Sequence, residues 1–280
     1  MTVSYRDVPT TTVGVDRVPF AYRQVGVAGG VPLVCLHHLT AVLDDWDPAV
    51  LDGLAAGRQV IAFDNRGVGG SGGTTPDSVE AMAADAIAFL EALGLGRVDL
   101  LGFSLGGMVA QVIAQRRPDL VRRLILAGTA PAGGKGGAGA GAILQGAVQQ
   151  AAAEGKHPKH YLFFSPTPTS QAAADAFLGR LDERTPQDRD APVSNESIGA
   201  QLTALAKWEQ GTSPAGLGAV TQPTLVVNGD EDAMLPTINS FELARLLPDA
   251  ELSIYPDAGH GGIFQHHTLF VRQASEFLDR

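Results

Sequence analysis

Short apolar, β-branched runs alternate along the chain with longer segments whose apolar positions recur at helical spacing. "TTVGV" and "VPFAYRQVG" read as an opening pair of strands. "PLVCLH" is an apolar strand, followed by a helix over "WDPAVLDGLAAG". "QVIAFDN" is a strand followed by the helix "SVEAMAADAIAFLEALGL", and "VDLLGF" a strand followed by "SLGGMVAQVIAQRR". "RRLILAG" is a further strand. Strands that are apolar throughout, with helices between them, predict a mostly parallel sheet covered on both faces.

The alternation stops near residue 131. "APAGGKGGAGAGA" is glycine-rich and predicts a mobile linker. Its Gly-Gly-Lys lacks the spacing and the Ser/Thr of a phosphate-binding loop. Residues from about 142 to 217 are helical and Ala-rich, broken by "SPTPTS" and "RTPQDRDAPVS", with no convincing apolar strand. The strand–helix pattern then resumes: "QPTLVVNG" and "AELSIYP" are strands, "TINSFELARLL" and "GIFQHHTLFVRQASEFLDR" helices. The expected organisation is an α/β core in two parts, residues 1–132 and 218–280, split by a helical insertion over 133–217.

Bulk properties narrow the function. The 280 residues are 45% apolar, enough for a large core. No apolar run approaches the roughly 20 residues of a membrane helix. The first residues show no basic segment leading into an apolar one, which predicts a cytoplasmic protein. Net charge is −10. The one basic cluster, "RRPDLVRR", reads as the polar end of a helix and the approach to a strand, so neither nucleic acid nor membrane is an expected partner. The single cysteine, Cys35, excludes an intrachain disulfide and a cysteine-based zinc site, and its apolar neighbours predict a buried core position.

"GFSLG", residues 102–106, fits the Gly-x-Ser-x-Gly nucleophile elbow. With 34 glycines in the chain, the pattern alone is weak, and "GGSGG" at 69–73 matches it too. Context separates the two. An elbow needs a strand, a sharp turn and then a helix. Ser104 follows "VDLLGF" and opens a helix. Ser71 leads into "GGTTPDS", a loop, and reads as an idle loop serine. A serine hydroxyl needs a histidine to take its proton and an acid to hold that histidine. The chain order for this elbow is serine, acid, histidine. After Ser104, Asp230, Glu231 and Asp232 crowd the loop behind "LVVNG". Asp232 is favoured and Asp230 is the runner-up, while the cluster also reads as a cap for a helix near Pro236. His260, between two glycines after the last strand, is the expected base.

Together these segments resemble the α/β-hydrolase superfamily. "GFSLGG" is similar to its elbow, "FDNRGVGGSGG" to its Asp-x-Arg-Gly-x-Gly-x-Ser loop, "NGDEDAMLP" to its acid loop and "DAGH" to its histidine loop. The resemblance implies a mostly parallel eight-stranded sheet with a helical cap in the insertion. It implies a triad of Ser104, Asp232 and His260, with oxyanion-hole amides from Leu39 and Leu105. It also explains why "CLHHL" stands out. The family's strand ends in His-Gly; here His37 matches that histidine, and reads as structural, while His38 replaces the glycine beside the oxyanion loop. His38 is therefore a candidate substrate contact.

Metal binding by the histidine pairs is disfavoured. Adjacent residues on a strand face opposite ways, and so do His266 and His267 at successive helix positions. No cofactor is expected. Tyr161, Phe163 and Phe164 in "HYLFF" and Trp208 in "ALAKWEQ" are candidates for an apolar pocket, with cap–core packing as the alternative for each. Lys207 reads as a solvated surface lysine. An elbow serine argues against epoxide and haloalkane hydrolysis, which in this fold use aspartate there. The expected activity is hydrolysis of small carboxylic esters or lactones by a monomer or homodimer. A C–C hydrolase, a cofactor-free perhydrolase and a non-catalytic receptor of the same fold are the alternatives.

Overall fold

A computed structural model describes residues 3–211 and 216–280. Met1 and Thr2, the start of the segment read for a leader, and 212–215, near the end of the expected insertion, lie outside the described residues. Eight strands form one sheet: β1 (Thr11–Val15), β2 (Val18–Val25), β3 (Leu33–Leu36), β4 (Val60–Phe63), β5 (Val98–Phe103), β6 (Val121–Ala127), β7 (Thr224–Gly229) and β8 (Ala250–Tyr255). Their order is β1-β2-β4-β3-β5-β6-β7-β8. β1, β2 and β4 pair antiparallel, and β4 through β8 run parallel. β3, β4 and β5 are buried at every position, which is what uninterrupted apolar runs require. Cys35 is fully buried within β3.

The chain steps one way from β3 to β4 and then crosses back to β5 on the other side of β3. Right-handed crossovers therefore place the intervening helices on opposite faces. α1 (Pro48–Ala55) packs against the C-terminal helix α10 (His267–Leu278), and α2 (Val79–Ala92) against α3 (Leu105–Arg116). The reversal opens a crevice at the carboxyl ends of β3 and β5, where a doubly wound sheet binds its ligands. Those ends are in register, Leu36 opposite Gly102. His37–His38 and Ser104 follow directly.

Among the described residues, four α-helices lie between β6 and β7: α4 (Ala140–Glu154), α5 (Lys159–Leu162), α6 (Pro168–Leu181) and α7 (Asn195–Gln210). Polar side chains bolt this cap to the core. Arg180 of α6 forks onto Asp47, at 2.8 and 2.6 Å. Asp47 is fully buried and also caps α1 by accepting from Ala49 N. Lys159 pairs with Asp45, and Trp208 Nε1 donates to Ala130 O at 3.0 Å. α8 (Ile238–Leu246) and the short α9 (Gly262–Gln265) complete the described α-helices. None of the described helices is long and apolar enough to cross a membrane.

Two expectations need correction. The glycine-rich stretch is not a loose linker. A Cβ on Gly136 would sit 2.5 Å from Met234 O, and one on Gly137 would sit 2.6 Å from Leu205 O. Lys135 N donates to Asn239 Oδ1 and Lys135 O accepts from Asn239 Nδ2, at 2.9 and 2.8 Å. The missing side chains let this backbone press against its neighbours. The last helix, expected as one, is broken into α9 and α10 at His266, whose Nε2 lies 3.0 Å from Pro256 O.

The closest approach in the crevice is at Gly106. A Cβ there would stand 2.1 Å from Leu36 O and 2.8 Å from His37 O. Only glycine allows the first turn of α3 to lie against the end of β3. Gly106→Ala is expected to lower unfolding free energy by at least about 2 kcal/mol, the cost of forcing backbone apart in a packed core. Urea denaturation measures it, and an unchanged midpoint would show that the approach is not rigid.

Candidate active site

Ser104 sits between β5 and α3 with φ 57 and ψ −118. A non-glycine residue with positive φ carries about 1–3 kcal/mol of backbone strain and persists only where its surroundings hold it. Here they do. Ser104 N donates to Ala127 O at 2.9 Å, and Ser104 O accepts from Gly107 N at 2.9 Å. Thr129 Oγ1 donates to the same oxygen at 2.7 Å. Gly102 leaves room for the turn, since a Cβ there would meet Gly106 O at 2.5 Å. The Ser104 side chain does not cap α3, so its hydroxyl is not spent on the helix.

Asp232 lies in the loop after β7, and His260 in the loop after β8. Asp232 Oδ1 accepts from Met234 N and Leu235 N, both at 2.9 Å. This fixes the carboxylate and leaves Oδ2 to accept from His260 Nδ1 at 2.8 Å. With Nδ1 as the donor, His260 Nε2 carries the lone pair of the neutral ring. Asp232 and His260 are 5% and 3% exposed, so the pair is shielded from competing water. His260 is carried to the elbow by packing. Its ring lies 5.0 Å from that of Phe103, the residue before Ser104, and its carbonyl and Nδ1 border Gly128 beyond β6.

The competing acids and serine fall elsewhere. Asp230 is exposed and closes a turn by accepting from Ala258 N at 3.1 Å. α8 begins at Ile238 with no side-chain cap, so the acidic cluster does not cap it. Ser71 is committed on both sides: its Oγ accepts from Ala21 N at 2.9 Å and donates to Asp64 O at 2.7 Å.

The loop after β3 carries the two histidines in opposite directions. His37 packs against Trp46 with ring centroids 5.8 Å apart, and its Nε2 lies 3.9 Å from Asp64 Oδ1. His38 turns towards the elbow, in edge contact with Phe103 and Phe163 at 5.2 and 5.1 Å. His38 Nδ1 lies 2.7 Å from Leu39 O. A carbonyl only accepts, so Nδ1 carries the proton and Nε2 is a bare lone pair, buried without a protein partner. Leu105 is the first residue of α3, and its N–H has no acceptor within the helix. Gly106 holds that amide against the loop leading to Leu39.

The four aromatic candidates separate. Phe163 is at the centre: its ring lies 5.7 Å from His260, and its carbonyl accepts from Gly261 N at 2.8 Å. Phe164 turns back to a tilted ring contact with Phe177 at 5.7 Å. Tyr161 is not brought to the elbow. Its hydroxyl donates to Glu154 Oε2 at 2.7 Å, and it lines an outer groove of about 370 Å³ with Gln150 and Lys156. α5 is a single turn, so successive side chains radiate from it and only some face the core. Trp208 is a cap anchor through Ala130 O. Lys207 pairs with Asp77 at the surface, 2.8 Å away. Among the described residues, no group of three or more His, Cys, Asp or Glu is placed to hold a metal ion.

One buried polar neighbour of this loop was not singled out from the sequence. Gln201 of α7 is fully buried, and its Oε1 accepts from Thr40 N at 2.9 Å. The available signal was a polar residue within the buried stripe Ser197, Gln201, Ala204, Leu205, Trp208.

Burial holds both histidines of the β3 loop neutral. His37 is pushed down to about 4. His38 is pushed to about 3, by burial first and by the Lys159 ammonium second. Between the ordinary histidine value and these, the unfolded chain binds more protons than the native one. Stability therefore falls as pH falls from about 6.5 towards 4. Asp64, raised by burial to about 8, acts in the opposite sense and offsets one of the two. Removing one histidine by His38→Gly is expected to flatten the fall by up to about 1.4 kcal/mol per pH unit in that window. Urea unfolding at several pH values measures the slopes, and parallel curves for the two proteins would refute a neutral His38.

A family model described as alpha/beta hydrolase fold matches residues 31–267. The solved structure of an alpha/beta hydrolase fold protein from Chitinophaga pinensis is 44% identical, covers 99% of each chain and superposes with a TM-score of 0.94. A poly(3-hydroxyalkanoate) depolymerase of Ectopseudomonas oleovorans is 32% identical over 82% of this chain and 77% of its own. The putative carbamate hydrolase RutD of Variovorax paradoxus is 29% identical over 94% and 97%. The elbow between β5 and α3, the strand order and a family match spanning most of the sequence lead to one assignment: the chain belongs to the alpha/beta hydrolase fold family.

Proposed function

We propose that this protein is a serine hydrolase of small carboxylic esters or lactones, with Ser104 as nucleophile, His260 as base and Asp232 as the acid that orients it. The observation that carries this reading is the buried Asp232–His260 hydrogen bond, 2.8 Å long, beside the strained Ser104 turn. Ser104 Oγ attacks the acyl carbon as His260 Nε2 takes its proton. The tetrahedral oxyanion is met by the Leu39 and Leu105 amides. Collapse expels the alcohol, which takes the proton from His260. Water then attacks the acyl-enzyme with His260 again as base, and the second collapse returns the proton to Ser104 as the acid leaves.

The similar proteins support acyl chemistry at this centre. The depolymerase is named for a polymer of hydroxyalkanoate units and the RutD protein for putative carbamate hydrolysis; a polyester and a carbamate both present a carbonyl carbon that a serine nucleophile could attack. Phe163 and His38 pack edge-on against Phe103, the residue before Ser104, and this apolar crowding suits a small acyl group. Ser104 is 4% exposed, and we infer that substrate enters by displacement of the cap. The cytoplasm remains the proposed location.

A panel of p-nitrophenyl esters from acetate to octanoate tests the assignment. Ser104→Ala is expected to lower kcat at least about 1000-fold on every ester that the wild type cleaves, and Asp232→Asn about 10,000-fold, because the amide selects the wrong imidazole tautomer. Asp230→Asn is expected to stay within about threefold of wild type, since an exposed turn residue contributes nothing to the transition state. Retained turnover in Ser104→Ala, or equal losses at Asp230 and Asp232, would remove this reading.

A further inference from the structure

The Leu39–Thr40 peptide is gripped at both ends by side chains. At one end, His38 Nδ1–H donates to Leu39 O at 2.7 Å. At the other, Thr40 N–H donates to Gln201 Oε1 at 2.9 Å. The first grip comes from the core loop and the second from cap helix α7. Thr40 has φ 63, a left-handed conformation that a β-branched residue adopts only under constraint. A backbone hydrogen bond from Ala41 N to His38 O closes the turn at 3.3 Å.

Both grips are costly to build. Gln201 is fully buried and its Nε2 has no protein partner. His38 is 6% exposed and its Nε2 has none either. Burying polar atoms unpaired is unfavourable, so each side chain requires a compensating role. Among the described residues, the one hydrogen bond that each side chain makes is to this peptide. Fixing the peptide sets ψ of Leu39 and φ of Thr40, and so the direction of the preceding peptide, which carries Leu39 N–H.

We propose that His38 and Gln201 are positioning residues that clamp the Leu39–Thr40 peptide, so that the oxyanion hole is complete only when the cap is seated. This rests on the acyl-transfer reading given above. It accounts for the side chain at position 38: a glycine there would have no ring to hold Leu39 O. It also assigns the cap a catalytic consequence. When α7 lifts to admit substrate, Thr40 N–H loses its acceptor and the loop relaxes. When α7 returns, the amide is re-aimed. Acyl transfer is thereby confined to the closed, water-poor state.

The test uses the full chain and p-nitrophenyl acetate, with Gln201→Met, Gln201→Glu and His38→Gly compared with wild type. Methionine keeps the volume and removes the acceptor. Glutamate keeps an acceptor oxygen. Gln201→Met is expected to lower kcat about 10- to 100-fold with KM within about threefold, as for loss of an interaction made in the transition state. Affinity for phenylboronic acid, which forms a tetrahedral adduct on the serine, should fall by the same factor. Gln201→Glu should recover most of kcat. Both grips hold one peptide, so the Gln201→Met/His38→Gly double variant should lose less than the product of the single losses. A Gln201→Met enzyme that melts earlier but keeps wild-type kcat and boronate affinity would reduce Gln201 to a structural residue and overturn the clamp. So would multiplicative losses in the double variant. Wild type that cleaves no ester and binds no boronate would overturn the acyl-transfer reading itself, and the clamp with it.

Discussion

The centre depends on how near α3 comes to the end of β3. Gly106 places the first turn of that helix against the carbonyls of Leu36 and His37, closer than any side chain would permit. That contact brings together a serine from one side of the crossover and a loop from the other. It also aims the unbonded amides at the start of α3 into the crevice. The strained Ser104 conformation follows from it, because the chain must turn from strand to helix within one residue. The strain is opposed by four hydrogen bonds to that residue's backbone, from Gly107 N, Met108 N and Thr129 Oγ1 to its carbonyl and from its own N–H to Ala127 O.

Around this contact the protein keeps its buried ionisable groups either neutral or paired. His37 and His38 are buried as neutral imidazoles. Asp47 is buried but forked by Arg180, and Arg23 is buried but flanked by Asp44 and Asp190. Several of these pairs join cap to core. A buried pair is specific in geometry more than strong in net energy. The cap is thus seated in a defined place without being irreversibly fixed, as a lid that must admit substrate requires.

Much of this was legible in the sequence. Strand runs and helix periods are local patterns, and local patterns survive into the fold. The choice of Ser104 over Ser71 rested on the helix that follows only the first, and the structure places a helix there. Other features required three dimensions. Glycine richness at 130–142 suggested looseness, yet the same absence of side chains is what allows tight backbone contact. "HYLFF" reads as one aromatic patch, but a single helical turn sends Phe163 inward and Tyr161 outward. Gln201 is 161 residues from its partner Thr40. No spacing rule connects a cap glutamine to a loop so distant in sequence.

The most direct measurement is to treat the intact protein with a fluorophosphonate and map the adduct by peptide mass spectrometry. An activated serine beside an imidazole base reacts where ordinary serines do not. The account predicts one adduct per chain, on the peptide carrying Ser104, at a rate that collapses in His260→Ala. No adduct, or one on Ser71, would contradict it.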